Sequence, residues 1–337
     1  MSGVKNGKIF INGSNGTFRI NHSKTPCAIR KTVRALVLPD DSLTKHLPPE
    51  VEIIFGDVTN AESLEPFFLS DPQDTLYVIH AAGIVSIASK YDQRVYDVNV
   101  NGTANIINQC KKIPNVKHLV YVSSVHAIPE KPKGTQISEI NYFSPEDVVG
   151  LYSKTKSEAT ALVLNACKNG IKASVVHPSG IIGPNDYAIG HTTQMFVDYI
   201  TGKLHAGVLG GYDFVDVRDV AEGIISCCKK GKSGECYILS NRYISIPEMF
   251  GMIGNCIRKQ NVKIYLSTRL VKLVAPLAEL YYKKRHCKPL FTTYSLYTLS
   301  SNACFTHEKA TRELAFTNRS TKKTIKDTVN WVKETLC

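Results

Sequence analysis

This 337-residue chain lacks several things, and each absence removes a class of protein. It contains no run of about 18 apolar residues, so no integral membrane segment is expected. Its first residues, MSGVKNGKIF, have no long apolar core of the signal-peptide kind, and the expected localisation is cytoplasmic. The most hydrophobic later stretch, from Leu266 to Tyr282, is interrupted by Arg269, Lys272, Pro276 and Glu279 and reads as an amphipathic helix. The ten cysteines form no CxxC pair and no His/Cys spacing suited to a metal. Reduced thiols are expected, and no metal. The formal charge of +12 would suit an anionic ligand, yet the basic residues are dispersed apart from Lys283-Lys284-Arg285. No nucleic-acid motif interleaves them with aromatics, so nucleic acid is not expected as a partner. A dinucleotide or another phosphorylated ligand would account for the bias, as would simple solubility. There is no internal repeat and no low-complexity linker. An apolar fraction of 43% and a charged fraction of 21% are ordinary for a globular protein. The length allows one large domain with an appended lobe, or two domains.

What is present alternates. Strand-like runs occupy Lys8–Asn12, Val33–Leu38, Val51–Phe55, Thr75–His80, His118–Ser123 and Lys172–His177. Between the later ones, Tyr96–Cys110 and Tyr152–Cys167 carry helical spacing of apolar residues. Strands alternating with helices predict right-handed crossovers and an α/β fold with a doubly wound parallel sheet, its short apolar strands covered on both faces. After His177 a glycine-rich region follows. Then come a helix over Val217–Lys229, a short strand over Glu235–Leu239, further helices, and a closing helix near Thr324–Leu336.

The residues that could carry chemistry lie where those strands end. Strand Lys8–Asn12 runs into Gly13-Ser14-Asn15-Gly16, a tight turn that lets backbone approach a pyrophosphate at a helix N-terminus. Asp57, beside Val58, follows the third strand. It could accept a hydrogen bond from an adenine amino group, or simply cap the next turn. His80-Ala81-Ala82-Gly83 ends the fourth strand with small residues that suit close passage of a flat ligand. Asn99 lies on the next helix and either faces the ligand or ties helix to strand. Ser123 and Ser124 end the fifth strand, at the carboxyl edge where open α/β sheets bind ligands. Tyr152 and Lys156 stand four apart and share one helix face. A phenol titrates near ~10, and a cation a few ångströms away favours its ionised form. Lys156 is therefore expected to sit below Tyr152 and make it useful as an acid and base near neutrality.

Together these residues resemble the extended short-chain dehydrogenase/reductase family, part of the NAD-dependent epimerase/dehydratase superfamily, over nearly the whole chain. The resemblance rests on Gly13/Gly16, Gly56-Asp57-Val58, His80-Ala81-Ala82, Asn99-Val100-Asn101-Gly102-Thr103, Val122-Ser123-Ser124 and Tyr152/Lys156. The runs His177 to Pro184 and Phe214 to Ala221 complete it. Val33-Arg34-Ala35-Leu36-Val37 and His307-Glu308-Lys309-Ala310 point to the dihydroflavonol-reductase-like branch. The resemblance implies a Rossmann domain over residues 1–178, with the chain returning to it near 213–241. A smaller, mostly helical substrate lobe would cover 179–212 and 242–320, and a closing helix 321–337. It implies Tyr152 as acid/base, Lys156 on the nicotinamide ribose, and Ser124 (alternatively Ser123) on the substrate carbonyl. Gly13, Asn15, Gly16, Asp57, Val58, Ala81, Ala82, Gly83, Asn99, Lys156, Pro178, Ser179 and Gly180 would bind cofactor. Ser123, His126 and Tyr187 would face substrate. The implied activity is that of an NAD(P)-dependent ketone or aldehyde reductase, or alcohol dehydrogenase, on a small-molecule substrate, with a homodimer as the conceivable assembly. A nucleotide-sugar epimerase or dehydratase and a non-catalytic dinucleotide sensor are the alternatives.

Three departures qualify this. Asn12 stands where the family carries threonine, and Arg19 where the third glycine of the fingerprint belongs. Thr17–Lys31, with Asn21, His22, Ser23 and Pro26, is a poor helix. Weakened cofactor binding is the expectation. After the second strand, Leu38-Pro39-Asp40-Asp41 lacks the arginine that pairs with a 2′-phosphate, and a carboxylate there favours a free 2′-hydroxyl. The branch leans to NADP and these residues to NAD, with NAD slightly preferred. His177 replaces a frequent arginine, which lowers the nucleotide-sugar reading.

Overall fold

The computed structural model describes residues 7–12, 32–86, 91–268 and 293–337. Gly13, Asn15, Gly16, Arg19 and Pro26 lie outside them, as does most of Leu266–Tyr282. The strands are β1 (Gly7–Asn12), β2 (Thr32–Val37), β3 (Glu52–Phe55), β4 (Thr75–His80), β5 (Val116–Val122), β6 (Ala173–Pro178), β7 (Gly180–Ile182), β8 (Ala206–Val208), β9 (Gly211–Asp216), β10 (Cys236–Leu239), β11 (Arg242–Ser245) and β12 (Ile264–Leu266). Seven of them form one sheet in the order β10-β6-β5-β4-β1-β2-β3, with every neighbouring pair parallel. This is a Rossmann-type α/β fold.

The alternation of side chains along each strand sorts the core into two layers. On one face Phe10, Leu36, Val78, Leu119 and Val175 pack with Ile106, Ile107, Ala159 and Val163, on the helices Gly102–Lys112 and Leu151–Lys168. On the other, Ile9, Ile11, Val33, Ile79, Val120 and Val176 meet Val220, Ile224, Ala310 and Leu314, on the helices Val217–Lys230 and Glu308–Leu314. Both faces are covered, and β4 and β6 are buried almost throughout. The chain runs outward from β1 through β2 and β3, then crosses to place β4 on the other side of β1. Asn12 and His80 are register partners at the carboxyl ends of that pair, at the switch point where such sheets bind ligands.

Of the returning segment 213–241, β10 joins the large sheet, while β9 pairs with β7 and β11 in a separate three-stranded sheet. One feature differs from the sequence expectation. The helix expected over Tyr96–Cys110 is divided: a π-turn over Asp97–Asn101 separates Gln93–Tyr96 from Gly102–Lys112. Such single turns often mark functional sites.

The later part of the chain is anchored to the sheet by charge. Asp216 caps the helix Val217–Lys230 by accepting from Arg218 N at 2.8 Å. The Arg218 guanidinium pairs with Asp216 at 2.6 Å and with Asp327, on the closing helix Thr321–Thr335, at 2.8 Å. Arg319 pairs with Asp219 and Glu222.

Candidate active site

The floor of the site is a buried polar network at the switch point. Asn12 Oδ1 takes the N–H groups of Ala81 (3.1 Å) and Ala82 (3.2 Å) and lies 2.7 Å from His80 Nδ1. An amide oxygen already accepting two N–H groups places the third proton on Nδ1. His80 Nε2, left without a proton, lies 2.9 Å from the Thr103 hydroxyl, whose single proton is shared between that nitrogen and the Asn99 carbonyl, 2.7 Å away. Burial and the Lys156 charge lower the His80 pKa to about 3, so the ring is neutral. The π-turn sets Asn99 so that its amide takes Ile84 N at 2.7 Å and donates to Ile84 O and Thr155 Oγ1. Asn99 thus ties the chain after β4 to the helix that carries Tyr152 and Lys156, the second of its two expected roles. A Cβ on Gly83 would come within 3.2 Å of both Asn99 Oδ1 and Lys156 Nζ, so glycine keeps the passage beside that ammonium open.

Tyr152 and Lys156 lie one turn apart at the start of the helix Leu151–Lys168, and both are buried. The geometry differs from the expected phenol-over-ammonium pair. Lys156 Nζ donates to Val122 O at 2.9 Å and stands 5.0 Å over the Tyr121 ring. Burial lowers its pKa to about 7. For Tyr152 burial is the dominant effect and raises the pKa to about 12, while the nearby Ser124 hydroxyl pulls the other way. The group that acts on the phenol in this state is therefore Ser124, while Lys156 is held by the end of β5.

The two serines separate cleanly. Ser123 Oγ lies 2.7 Å from Thr160 Oγ1, inside the helix–sheet packing. Ser124 faces Tyr152, its Oγ also accepting from His126 N at 3.2 Å. His177, singled out in the sequence only as a departure, holds Ser124 from below: its Nδ1 lies 2.9 Å from the Ser124 carbonyl, and its ring stacks on Phe143. Burial lowers its pKa to about 4, so it is neutral and donates from Nδ1.

Beyond Tyr152 stands a wall of rings. His126 stacks on Tyr212 at 5.4 Å and 9° and meets the edge of Tyr152 at 6.0 Å. The Tyr212 hydroxyl lies 3.3 Å from His126 Nε2. Tyr294, from the helix Thr293–Ser300, lies 6.2 Å from His126 and raises the pKa of Tyr152. Burial lowers His126 to about 4, so this wall is uncharged at neutral pH. Tyr187, expected near substrate, stacks on His46 at 4.0 Å and meets Trp331 edge-on. Sequence periodicity held no signal for Tyr212 or Tyr294, because partners 86 residues away (His126) and 141 residues away (Ser153) leave none in local spacing.

The remaining expected ligand-side residues are engaged as follows. Asp57 caps its own turn, its Oδ1 accepting Thr59 N at 2.8 Å. Val58 is buried against Gly102, where a Cβ would come within 2.7 Å of it. Pro178 pairs with Leu239, and Ser179 donates to Asp213 Oδ1 at 2.5 Å. A Cβ on Gly180 would meet the Phe214 ring at 2.9 Å. Among the described residues no group of three or more His, Cys, Asp or Glu could hold a metal ion. No helix among them is long and apolar enough to cross a membrane.

The chain matches the NAD dependent epimerase/dehydratase family over residues 22–240 and belongs to it; the matched span begins downstream of Gly13 and Gly16. It is 26% identical over 328 residues to sterol demethylase protein B of Methylococcus capsulatus, covering 96% of this chain and 98% of that one. It is 28% identical over 316 residues to a dihydroflavonol 4-reductase-like protein of Synechocystis sp., covering 90% and 87%. The crystal structure of gox2253 superposes with a TM-score of 0.80 at 25% identity, covering 97% of this chain and 98% of that one. The chain is thus an NAD(P)-dependent oxidoreductase of the extended short-chain dehydrogenase/reductase type.

Proposed function

We propose that this protein interconverts a ketone or aldehyde with its alcohol, using Ser124, Tyr152 and Lys156. The observation that carries the reading is that Ser124, Tyr152 and Lys156 are all buried at the carboxyl end of β5, with Tyr152 one helical turn from Lys156 and Lys156 Nζ bonded to Val122 O. Lys156 uses one of its three protons on Val122 O, which leaves donors for the hydroxyls of a nicotinamide ribose. Gly83, Asn99, Pro178, Ser179 and Gly180 would border that end, with Ala81 and Ala82 along the floor. Asp57 would stand at the adenine end, and Gly13, Asn15 and Gly16 at the pyrophosphate. The bound dinucleotide would supply or take the hydride at its nicotinamide C4, with geometry provided by the protein.

In the reducing direction Ser124 donates a hydrogen bond to the substrate oxygen as negative charge builds there. Tyr152, protonated at neutral pH, gives that oxygen its proton. His177 fixes the Ser124 backbone so that the hydroxyl keeps its aim. In the oxidising direction Tyr152 takes the proton back, and a Lys156 held in its charged form by ribose hydroxyls favours that step. The uncharged wall of His126, Tyr212 and Tyr294 suits a neutral, largely apolar substrate. Similarity to a protein named as a sterol demethylase component agrees with this. Asp40 and Asp41 follow β2 with no basic residue before Lys45, which favours NAD over NADP.

The test is oxidation of NADH or NADPH with a panel of ketones and aldehydes, by the wild type and Tyr152→Phe. Loss of about 10²–10⁴-fold in kcat in the variant is expected. Turnover that survives Tyr152→Phe would refute the assignment. Retained NAD with conversion of a UDP-sugar and no net change in NADH would instead identify an epimerase.

A further inference from the structure

The C-terminal segment contributes a phenol to this site that no motif marks. Tyr294 is buried, and its hydroxyl lies 2.7 Å from Ser153 Oγ in the first turn of the catalytic helix. Its ring lies against Gly150, the residue before that helix, where φ is +94° and a Cβ would come within 2.3 Å of the ring. Any side chain at position 150 would displace the ring. On its other side Tyr294 faces His126, 6.2 Å away, and Tyr297, 6.4 Å away.

The segment that carries Tyr294 is fastened to the loop following Ser124. Tyr297 donates to Glu130 at 2.5 Å, and Asn302 N donates to the same carboxylate at 2.8 Å. The Asn302 amide donates to Pro132 O and Thr135 O, and Ile137 bridges to Phe305. Those attachments hold the helix Thr293–Ser300 in place whether or not the Tyr294–Ser153 bond forms. That bond therefore fixes the ring and not the segment.

We propose that Tyr294 is a specificity-determining residue. Latched to Ser153, it walls the space before Tyr152 and limits the bulk accepted beside the reacting carbon. The proposal rests on the reading that Tyr152 is the acid/base. A residue that only packed the lobe would affect all substrates alike; a wall affects them according to size.

The experiment compares cyclohexanone with 2-decalone, a ketone carrying a second fused ring, as substrates of the wild type, Tyr294→Ala, Tyr294→Phe, Ser153→Ala and the Tyr294→Phe/Ser153→Ala double variant. Tyr294→Ala should raise the kcat/KM ratio of decalone to cyclohexanone by about tenfold or more, the scale on which apolar pockets discriminate. Tyr294→Phe and Ser153→Ala each sever the latch and should shift the ratio the same way by about threefold, with the double variant no further than either. Should the alanine variant not fold, Tyr294→Val gives the same reading. An unchanged ratio, with both ketones losing equally, overturns the proposal. A wild type that turns over neither ketone counts against the proposed reduction of cyclic ketones and leaves the family assignment untouched. The ratio is then read from Kd by calorimetry in the presence of NADH: a size-dependent shift in Tyr294→Ala upholds the wall, and an unchanged ratio or binding of neither ketone overturns it.

Discussion

Replacing Lys156 with methionine should abolish turnover and yet make the cofactor-free protein more stable. Lys156 is 4% exposed, and burial lowers its pKa from 10.5 to about 7. At about 1.4 kcal/mol per pH unit that drop is roughly 5 kcal/mol of penalty on the charged form. Methionine fills a similar volume without a charge, while the Val122 carbonyl loses its donor at a cost of about 1–3 kcal/mol. A net gain of about 2 kcal/mol or more is expected near pH 7, read as a higher urea midpoint. The pH dependence fixes the cause. Between about 7 and 10.5 the unfolded chain holds a proton on Lys156 that the folded chain has lost, so wild-type stability rises with pH across that window. The advantage of Lys156→Met should therefore be largest at pH 7 and below, and shrink toward pH 10.5. Urea denaturation at pH 6.5, 8 and 9.5 measures it. A variant less stable than the wild type at pH 6.5, or a gain that does not change with pH, would refute the reasoning.

Two further outcomes follow from the same geometry. Ser124→Ala should lower kcat by about 10²-fold or more, the usual effect of losing one donor to a developing oxyanion, while Ser123→Ala, whose hydroxyl meets only Thr160 on the core side, should lose about 1 kcal/mol of stability and keep its kcat within a few-fold; steady-state kinetics on both separate the two. Arg218→Ala strands the fully buried Asp216 carboxylate and should cost about 3–5 kcal/mol in thermal or chemical denaturation. Burial alone would raise the Asp216 pKa, but Arg218 and Thr324 hold it below 3.8. The stabilisation is therefore present above pH 3.8 and lost as pH falls below it, so the variant and the wild type should converge at low pH.

The strands and the two long helices were legible because apolar periodicity is local: β4 spans Thr75–His80 as expected, and the catalytic helix differs by one residue at each end. The residues proposed to react were legible because each stands at a strand end or on one helix face. Partnership was not. Whether Ser123 or Ser124 faces Tyr152 depends on how the chain leaves β5, and where Lys156 points depends on the Val122 carbonyl thirty-four residues away. The expectation that Tyr187 faces substrate came from the resemblance alone; its ring contacts are with His46 and Trp331, both distant in sequence. The π-turn at Asn99 carries no propensity signal; the contacts it serves, from the Asn99 amide to Ile84 and Thr155, lie 15 and 56 residues away.

The altered fingerprint raised the possibility of a sensor that keeps the fold and has lost the chemistry, and two observations weigh against it. At position 12 the change from threonine to asparagine is matched by its surroundings: one carboxamide oxygen serves Ala81, Ala82 and His80 together and keeps the ends of β1 and β4 joined. The reacting end, meanwhile, carries groups that a fold without chemistry has no reason to keep. Lys156 alone costs several kcal/mol in the cofactor-free state, and a dinucleotide could repay that cost by binding. Binding alone gives no use to a buried phenol raised to about 12 with a serine hydroxyl beside it. Stability given up at a site, in groups placed to move a proton, favours activity over sensing, and on the proposed reading it is concentrated on Ser124, Tyr152 and Lys156.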